Sequence, residues 1–229
     1  MKTLANFISV ILLLTLNVGY AYAQQEHEYV DLGLPSGTLW ATCNVGAENP
    51  WDYGDYFAWG ETTTKSNYDW STYKYANDDY RKITKYCGLS VFGDNGYTDT
   101  LTILECSDDA AFVNWGSDWC MPTELQFREL NDNCTWILWT IPNGKDGYEV
   151  KGFEVKGKNG NSIFLPATGY RNGTVLYDAS KSGDYWSSSL STGDPENARH
   201  LYFNSGGGNP DHGGWRRCGM SVRPVRSNP

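Results

Sequence analysis

The stretch "DDAAFVNWGSDWCMPTELQFREL", residues 108–130, contains the two helix signals on which the interpretation of this chain rests. Ser107, Asp108 and Asp109 stand directly before an apolar segment that begins at Ala110. Short polar side chains accept hydrogen bonds from the free N–H groups of a first helical turn, and carboxylates interact favourably with the positive end of the helix dipole. A short helix is therefore predicted to begin here.

A second and better marked helix is predicted within "MPTELQFREL". Thr123 and Gln126 have the spacing of a capping box, in which each side chain accepts a hydrogen bond from the backbone N–H of the other residue. Leu125, Phe127 and Leu130 supply apolar positions along this helix. The helix is expected to continue to Asn133.

Towards the N-terminus, "EYVDLGLPSGTLWATCNVG" consists of two short apolar and β-branched stretches separated by Pro35-Ser36-Gly37. Such a turn signal between two stretches predicts an opening hairpin. The region that follows, up to Cys87, is dense in aromatic residues, Asp and Asn and has little periodicity. We expect a long, ordered, irregular region there, built around one strand at Tyr56 to Trp59.

Towards the C-terminus, the segments "TWILWT", "GYEVKGFEVKG" and "NSIFLPATGYR" are each ended by Gly, Asn or Pro. They predict strands of one twisted antiparallel sheet. Three further strands are predicted in "DYWSSSL", "RHLYFN" and "GMSVRPV", with a loop, "SGGGNPDHGGWRRC" at residues 205–218, between the last two. The predicted fold class is α+β, with two short helices, a twisted antiparallel sheet and long irregular loops.

The first residues have the layout of a secretory signal peptide, with a positive charge at Lys2, an apolar run from Phe7 to Leu16 and small residues that end at Ala23. The apolar run is about ten residues, shorter than the roughly 20 that a helix needs to cross a bilayer. We therefore expect residues 1–23 to be a signal peptide, the mature chain to lack a membrane span, and its location to be secreted, periplasmic or in the cell envelope.

The composition limits the partners of the mature chain. The formal net charge of the full chain is −9, and removal of the signal peptide takes away the positive charge of Lys2, so the mature chain is more acidic still. Because binding to nucleic acid needs a basic surface, no nucleic-acid partner is expected. No long Pro, Ser or Gly run and no repeat is present, so residues 24–229 are expected to form a single domain.

All six cysteines lie in the mature region, an even number that fits disulfide pairing in an oxidising compartment. Six cysteines allow 15 connectivities, between which the sequence alone does not choose. No Cys-x-x-Cys pair is present, and the three histidines do not flank the cysteines at zinc spacing. No zinc site is expected.

Four stretches together resemble the Fibrobacter succinogenes major paralogous domain family: "YVDLGLPSGTLWATCNVGA", "DDAAFVNWGSDWCMPTELQFREL", "NGNSIFLPATGYR" and "YWSSSL…SVRPVR". The resemblance spans nearly all of residues 29–226 in the same order. The family is similar to C-type-lectin-like and formylglycine-generating-enzyme folds, and its members are exported bacterial proteins. The resemblance therefore implies a C-type-lectin-like fold for this chain.

The same resemblance implies one disulfide. The lectin-like topology would place the start of the second helix beside the last strand, and Cys120 with Cys218 is the pairing expected from it. Cys87 with Cys106, which would close a loop of about 20 residues, is the next expected pairing, and Cys43 with Cys134 remains by elimination. The chain differs here from the family pattern, which typically has Arg where Cys120 stands.

The motifs of known catalytic and calcium sites are missing from the sequence. No Gly-x-Ser-x-Gly is present, and the cysteine pair through which formylglycine-generating enzymes act is not matched, because only Cys218 lies in the last third. Asp194-Pro195-Glu196-Asn197 and Asn209-Pro210-Asp211 differ from the calcium-binding tripeptides of C-type lectins and are ordinary turn sequences. No catalytic residue, metal or cofactor is expected.

The candidate ligand-binding residues lie in the C-terminal part, where aromatic, cationic and hydrogen-bonding residues crowd around glycines. Trp and Arg dominate the binding hot spots of protein interfaces. The alternative interpretation is a solvated loop in which Arg216 and Arg217 pair with surface acids. The candidates are Trp186, Arg199, His200, Tyr202, Asn204, Asn209, Asp211, His212, Trp215, Arg216 and Arg217.

These observations lead to three functional hypotheses. The first is an exported binding or adhesion module that recognises a protein or glycan through its C-terminal loop surface. The second is a structural component of the bacterial cell envelope without a small ligand. The third is a hydrolase that acts on glycans, which is disfavoured because no pair of carboxylates stands out at catalytic spacing.

Overall fold

The computed structural model describes residues 26–142 and 149–226 of the 229-residue chain. The predicted signal peptide, residues 1–23, lies outside the described residues. Within them the architecture is small α+β, mostly antiparallel sheets with only two α-helices. No helix in the described part is long and apolar enough to cross a membrane.

Both α-helices begin where the sequence predicts. Helix α1 (Ala110–Trp115) is capped by the side chain of Asp109, which accepts hydrogen bonds from two backbone N–H groups of the first turn. Helix α2 (Glu124–Asn133) has the predicted capping box, because the Oγ1 of Thr123 accepts from the N–H of Gln126 and Gln126 Oε1 accepts from the N–H of Thr123. Local capping chemistry therefore places both helices.

The predicted opening hairpin is confirmed. Strands β1 (Tyr29–Asp31) and β2 (Leu39–Ala41) pair antiparallel, and the N–H of Gly37 donates to Leu34 O in the turn between them. The last strand, β11 (Val225–Arg226), pairs with β2. One three-stranded sheet therefore joins the beginning and the end of the described chain.

The next three predicted strands form a second sheet. Strands β3 (Thr135–Ile141), β4 (Val150–Lys156) and β5 (Ser162–Pro166) pair antiparallel in the order β3-β4-β5. The outer strand β3 therefore has one edge free of any other described strand.

A short ribbon and a third sheet complete the fold. Strands β6 (Tyr170–Asn172) and β7 (Val175–Tyr177) form the ribbon. Strands β8 (Ser182–Leu190), β9 (Asn197–Asn204) and β10 (Gly207–Trp215) form the sheet in the order β10-β9-β8. All nine residues of β8 are buried.

Two predictions about the strands are wrong. The three segments predicted to share one antiparallel sheet do share it, as β3-β4-β5, but the described strands together form three three-stranded sheets and one ribbon instead of the one sheet of the predicted fold class. Tyr56 to Trp59 is not a strand but makes one isolated bridge from Phe57 to Met220. Alternating apolar residues indicate that a segment is extended but not which segment it pairs with. Here the N–H groups of Phe57 and Trp59 donate separately to carbonyls of the C-terminal segment.

Two apolar clusters form the core, and β8 contributes to both. Trp186 and Leu190 belong to the first cluster, together with α1 and the aromatic region, whereas Tyr185 belongs to the second, with α2 and the β3-β4-β5 sheet. Adjacent residues of a strand point to opposite faces, so one strand supplies both clusters. This buried strand carries the β9–β10 hairpin on one edge.

Candidate functional site

The predicted loop at residues 205–218 is for the most part a strand. Strand β10 pairs with β9 through most of its length, for example His212 with His200 and Trp215 with Asn197. The register shifts between Asn209 and His212, where Pro210 stands and cannot donate to a ladder. The neighbouring strand decides the conformation here, because its hydrogen bonds outweigh the low strand propensity of glycine.

Arg216 is not a surface residue, and its assignment as a ligand-binding residue is corrected. Its side chain is 0% exposed. The guanidinium donates to Tyr73 Oη and to the backbone carbonyls of Lys85, Tyr86 and Pro195. It links separate segments of the core, and it forms no ion pair with an acid in the part of the chain that the structure describes.

Arg217 is also buried, and it supports a candidate residue instead of binding a partner. Its Nη1 donates to Tyr68 O and Asn172 Oδ1. The guanidinium lies 4.7 Å from the centroid of the Trp215 ring. The ring of Trp215 is 47% exposed, so Arg217 holds an exposed indole in place from behind.

Trp186 and His200 are paired across β8 and β9 and are both buried. Trp186 Nε1 donates to Phe57 O at 2.8 Å, so this indole is a core residue, and its assignment as a ligand contact is wrong. His200 is 2% exposed and is not a surface contact either. Its ring lies at the floor of a depression between the hairpin and β6, so only a group inside that depression could contact it.

Arg199 and Asp211 face α2. Arg199 Nη1 donates to Asp211 O, and Arg199 Nε lies 3.7 Å from Glu124 Oε2. Arg128 Nη2 bonds both Asp211 Oδ2, at 3.0 Å, and Glu124. These partly exposed ion pairs hold the hairpin against the helix.

The remaining candidates lie on the hairpin itself. Asn204 Nδ2 donates to Tyr202 Oη, and Asn209 Oδ1 accepts from the N–H of Asp211. The ring of His212 lies 5.2 Å from that of Tyr202 and 4.9 Å from that of His200. The structure thus brings His200, Tyr202, His212 and Trp215 around one depression and leaves Asn204 and Asn209 towards the turn.

We call this depression the hairpin hollow. It lies between the hairpin and β6, has a volume of about 270 Å³, and is open to solvent. Gly213 and Gly214 contribute backbone without side chains to its wall. Its rings and polar side chains are those of Tyr170, Asn172, Asp184, Asn197, His200, Tyr202, His212, Trp215 and Cys218.

The floor of the hairpin hollow holds a buried carboxylate and a buried imidazole. Asp184 Oδ2 accepts from Ser182 Oγ at 2.7 Å, and Asp184 Oδ1 lies 3.5 Å from His200 Nε2. Burial lowers the pKa of His200, an effect that Asp184 opposes and His212 reinforces. His200 Nδ1 is buried and has no hydrogen-bond partner within the described residues.

Cys218 also lines the hairpin hollow. Burial raises the pKa of its thiol to about 11, so at neutral pH it is protonated. The thiolate, and not the thiol, is the nucleophile in cysteine chemistry. Cys218 is therefore not activated in this arrangement.

Six side chains that line the hollow were not predicted from the sequence as ligand contacts: Tyr170, Asn172, Asp184, Asn197, Cys218 and Met220. Tyr170 and Asn172 come from the β6–β7 ribbon, which is far from the hairpin in sequence. Asp184 precedes the "YWSSS" stretch, where the strand pattern indicated only structure. The only available signal was the alternation of β8, which puts Asp184 and Trp186 on one face.

The predicted disulfide between Cys120 and Cys218 is not formed. Cys120 exchanges backbone hydrogen bonds with Val225 of β11, which confirms that the segment before the second helix neighbours the last strand. Cys218, however, comes before that strand and lies in the hollow. Proximity of two segments therefore did not bring these two thiols together.

The other two predicted disulfides are also absent, because the thiols have different surroundings. Cys87 is buried and its Sγ donates to Leu89 O, whereas Cys106 is exposed. Cys43 Sγ lies 3.8 Å from Glu48 O, whereas Cys134 caps the end of α2. All six cysteines are free thiols: Cys43, Cys87, Cys106, Cys120, Cys134 and Cys218.

A second depression, of about 410 Å³, lies on the outer face of the β3-β4-β5 sheet. Trp139, Ile141 and Phe164 line it, together with Pro50 from the irregular region.

Comparison of the chain with family models, with curated proteins and with solved structures found no match. The candidate site is therefore defined by its geometry alone.

Proposed function

We propose that this chain is an exported, non-catalytic binding module of C-type-lectin-like fold that recognises a partner at the cell exterior through the face of the β9–β10 hairpin. The observation that carries the proposal is the Trp215 ring. It is half exposed, held by Arg217, and stands at the mouth of a hollow with buried polar groups at its floor. Aromatic anchors beside polar groups are typical of binding hot spots.

The surroundings of the hollow favour binding over catalysis. Asp184 is the one carboxylate among the described residues that line it, whereas glycoside hydrolysis generally uses two carboxyl groups on either side of the scissile bond. The protonated thiol of Cys218 and the low-pKa His200 do not form an activated nucleophile and base. We therefore infer that the site holds its ligand unchanged.

The experiment compares two exposed tryptophans on different faces. The mature chain, from Gln24, is applied to printed arrays of defined glycans and of proteins. Trp215→Ala is expected to weaken binding to the best partner about tenfold or more. The matched control Trp139→Ala removes an indole that is 52% exposed on the β3-β4-β5 sheet, and it should leave binding within about twofold. Unchanged binding of Trp215→Ala would overturn the proposal.

A structural role in the cell envelope is the second candidate, favoured by strand β3. Leu138 and Trp139 are 56% and 52% exposed on the free edge strand, next to the apolar depression that contains Phe164. Exposed apolar surface of this kind marks contact sites. Loss of attachment to envelope polymers in Trp139→Ala, but not in Trp215→Ala, would favour this candidate over the first.

A further inference from the structure

The floor of the hairpin hollow contains one buried hydrogen-bond acceptor that lacks a donor within the described residues. Because burial keeps His200 neutral, its ring has one N–H, and the proximity of Asp184 places that hydrogen on Nε2. Nδ1 is then a lone-pair acceptor, and it is the atom that lacks a partner within the described residues. A buried polar atom of this kind is stabilised when a donor reaches it.

Asp184 adds acceptors to the same floor. Its carboxylate receives the hydroxyl of Ser182, and among the ion pairs of the described residues its one partner is His200. A ligand that carries O–H or N–H donors is therefore complementary to the floor. A ligand with a carboxylate would meet Asp184 as a like charge.

The mouth of the hollow distinguishes neutral donors from cationic ones. The guanidinium of Arg217 lies against the Trp215 ring, with 4.7 Å to its centroid. A cationic ligand that approached this ring would be repelled by Arg217. A neutral group with hydroxyls and an apolar C–H face fits both the ring and the floor.

The volume limits the size of the group. Pockets for drug-sized ligands usually enclose about 300–1,000 Å³. The hairpin hollow encloses about 270 Å³ and is open on one side. It therefore has room for one small ring with its substituents, with the rest of the ligand outside.

From these features we infer that the hairpin hollow binds the neutral, hydroxyl-bearing terminal ring of a glycan, with Trp215 against the face of the sugar and His200 Nδ1 as acceptor for one hydroxyl. This inference rests on the proposed function and names its ligand. The exposed His212 ring packs edge-on against His200 and lines the hollow beside it. Gly214 must stay without a side chain, because a Cβ there would lie 3.0 Å from His200 Nδ1.

The experiment uses the mature chain and a set of monosaccharides, observed by saturation-transfer NMR and titrated. The neutral probes are the methyl glycosides of glucose, galactose, mannose and N-acetylglucosamine. Glucuronic acid and glucosamine are the anionic and cationic counterparts. At least one neutral probe is expected to bind, and each charged probe is expected to bind at least tenfold more weakly than the best neutral one.

Two glycine variants test whether the sugar occupies the hollow. Gly214→Ala should weaken binding of the best neutral probe at least tenfold, because the new methyl group crowds His200 and Met220. Gly193→Ala is the matched control, since a Cβ at that position meets nothing within 4 Å. It should leave the affinity unchanged.

The outcomes separate the two proposals. If no neutral probe binds, or if glucuronic acid binds equally well, the inference is wrong, even when Trp215→Ala abolishes binding to a protein on the array and the proposed function survives. Equal affinity in Gly214→Ala and in Gly193→Ala, with Gly214→Ala folded by circular dichroism, also overturns it. If Trp215→Ala changes nothing on any array, the proposed function fails as well.

Discussion

At the residue scale, the protonation state and hydrogen bonding of His200 depend on its burial, which the neighbouring sequence does not reveal. The segment "RHLYFN" indicated a strand and placed the imidazole on a surface. In the fold it is 2% exposed between Trp186, His212 and Asp184. Its neutral state and its free Nδ1 both follow from that burial.

The low pKa of His200 predicts how stability depends on pH. Burial, the largest cause, places the folded-state pKa below the ordinary value of 6.5 that applies to the unfolded chain. The unfolded state therefore takes up a proton more readily as the pH falls. The contribution to stability is complete above about pH 6.5 and is lost as the pH falls from there towards the folded-state pKa.

Urea unfolding at pH 7.5 and pH 5 measures this effect. The native sequence is expected to lose more free energy of unfolding between the two pH values than His200→Gln, whatever their absolute stabilities. Because Asp184 opposes the shift and His212 reinforces it, His212→Gln is the useful comparison and should retain part of the pH dependence. Identical losses in the native protein and in His200→Gln would show that another group is responsible.

At the scale of elements, local sequence determines the two helices, whereas the exposure of strand β3 depends on its place in the sheet. The capping box of α2 consists of residues three positions apart, so it forms wherever the segment is helical. Strand β3 is also evident from its sequence, but its alternation did not reveal that both Leu138 and Trp139 would be exposed. That exposure follows from its place at the edge of the sheet.

Strand β3 is predicted to promote self-association. Uncharged, apolar edge strands expose unpaired backbone groups that can pair with another chain, and a lysine at the edge suppresses this. Trp139→Lys is therefore expected to reduce the apparent molecular mass at high protein concentration, measured by static light scattering. Val113→Lys is the matched control, because Val113 is 50% exposed and lies on helix α1 instead of on an edge strand. Equal scattering by both variants would contradict the prediction.

At the scale of the whole molecule, the segment that ends the described chain joins parts that are distant in sequence. Arg223 is 0% exposed and bonds Asn44 Oδ1, Ala41 O and Phe164 O, thereby linking the opening hairpin region to β5. Arg216 makes similar bonds to Tyr73 Oη and Pro195 O. Neither guanidinium has a carboxylate partner among the described residues, so backbone carbonyls hold them.

Arg216→Ala is therefore expected to lower the free energy of unfolding by about 3 kcal/mol or more, because it leaves several buried carbonyl groups and Tyr73 Oη without a donor. Urea denaturation provides the measurement. Arg81→Ala is the control, because Arg81 is exposed, and it should change stability by no more than about 0.5 kcal/mol. A decrease in the free energy of unfolding below about 1 kcal/mol for Arg216→Ala would show that the buried guanidinium contributes little to the stability of the core.

The sequence by itself determined the helix starts, the opening turn, most strands and the α+β class, because caps, turns and alternation act between residues a few positions apart. The tertiary structure decided which strands pair and that the cysteines stay apart. It also decided that Arg216, Arg217 and Trp186 are buried. Finally, it brought Asp184 and Tyr170 together with His200 and Trp215 in one hollow. Those outcomes depend on contacts between segments more than a hundred residues apart in places, such as Arg216 with Tyr73. No local sequence pattern indicates which distant backbone carbonyl will accept a hydrogen bond from a buried guanidinium, because that pairing forms only when the whole core packs.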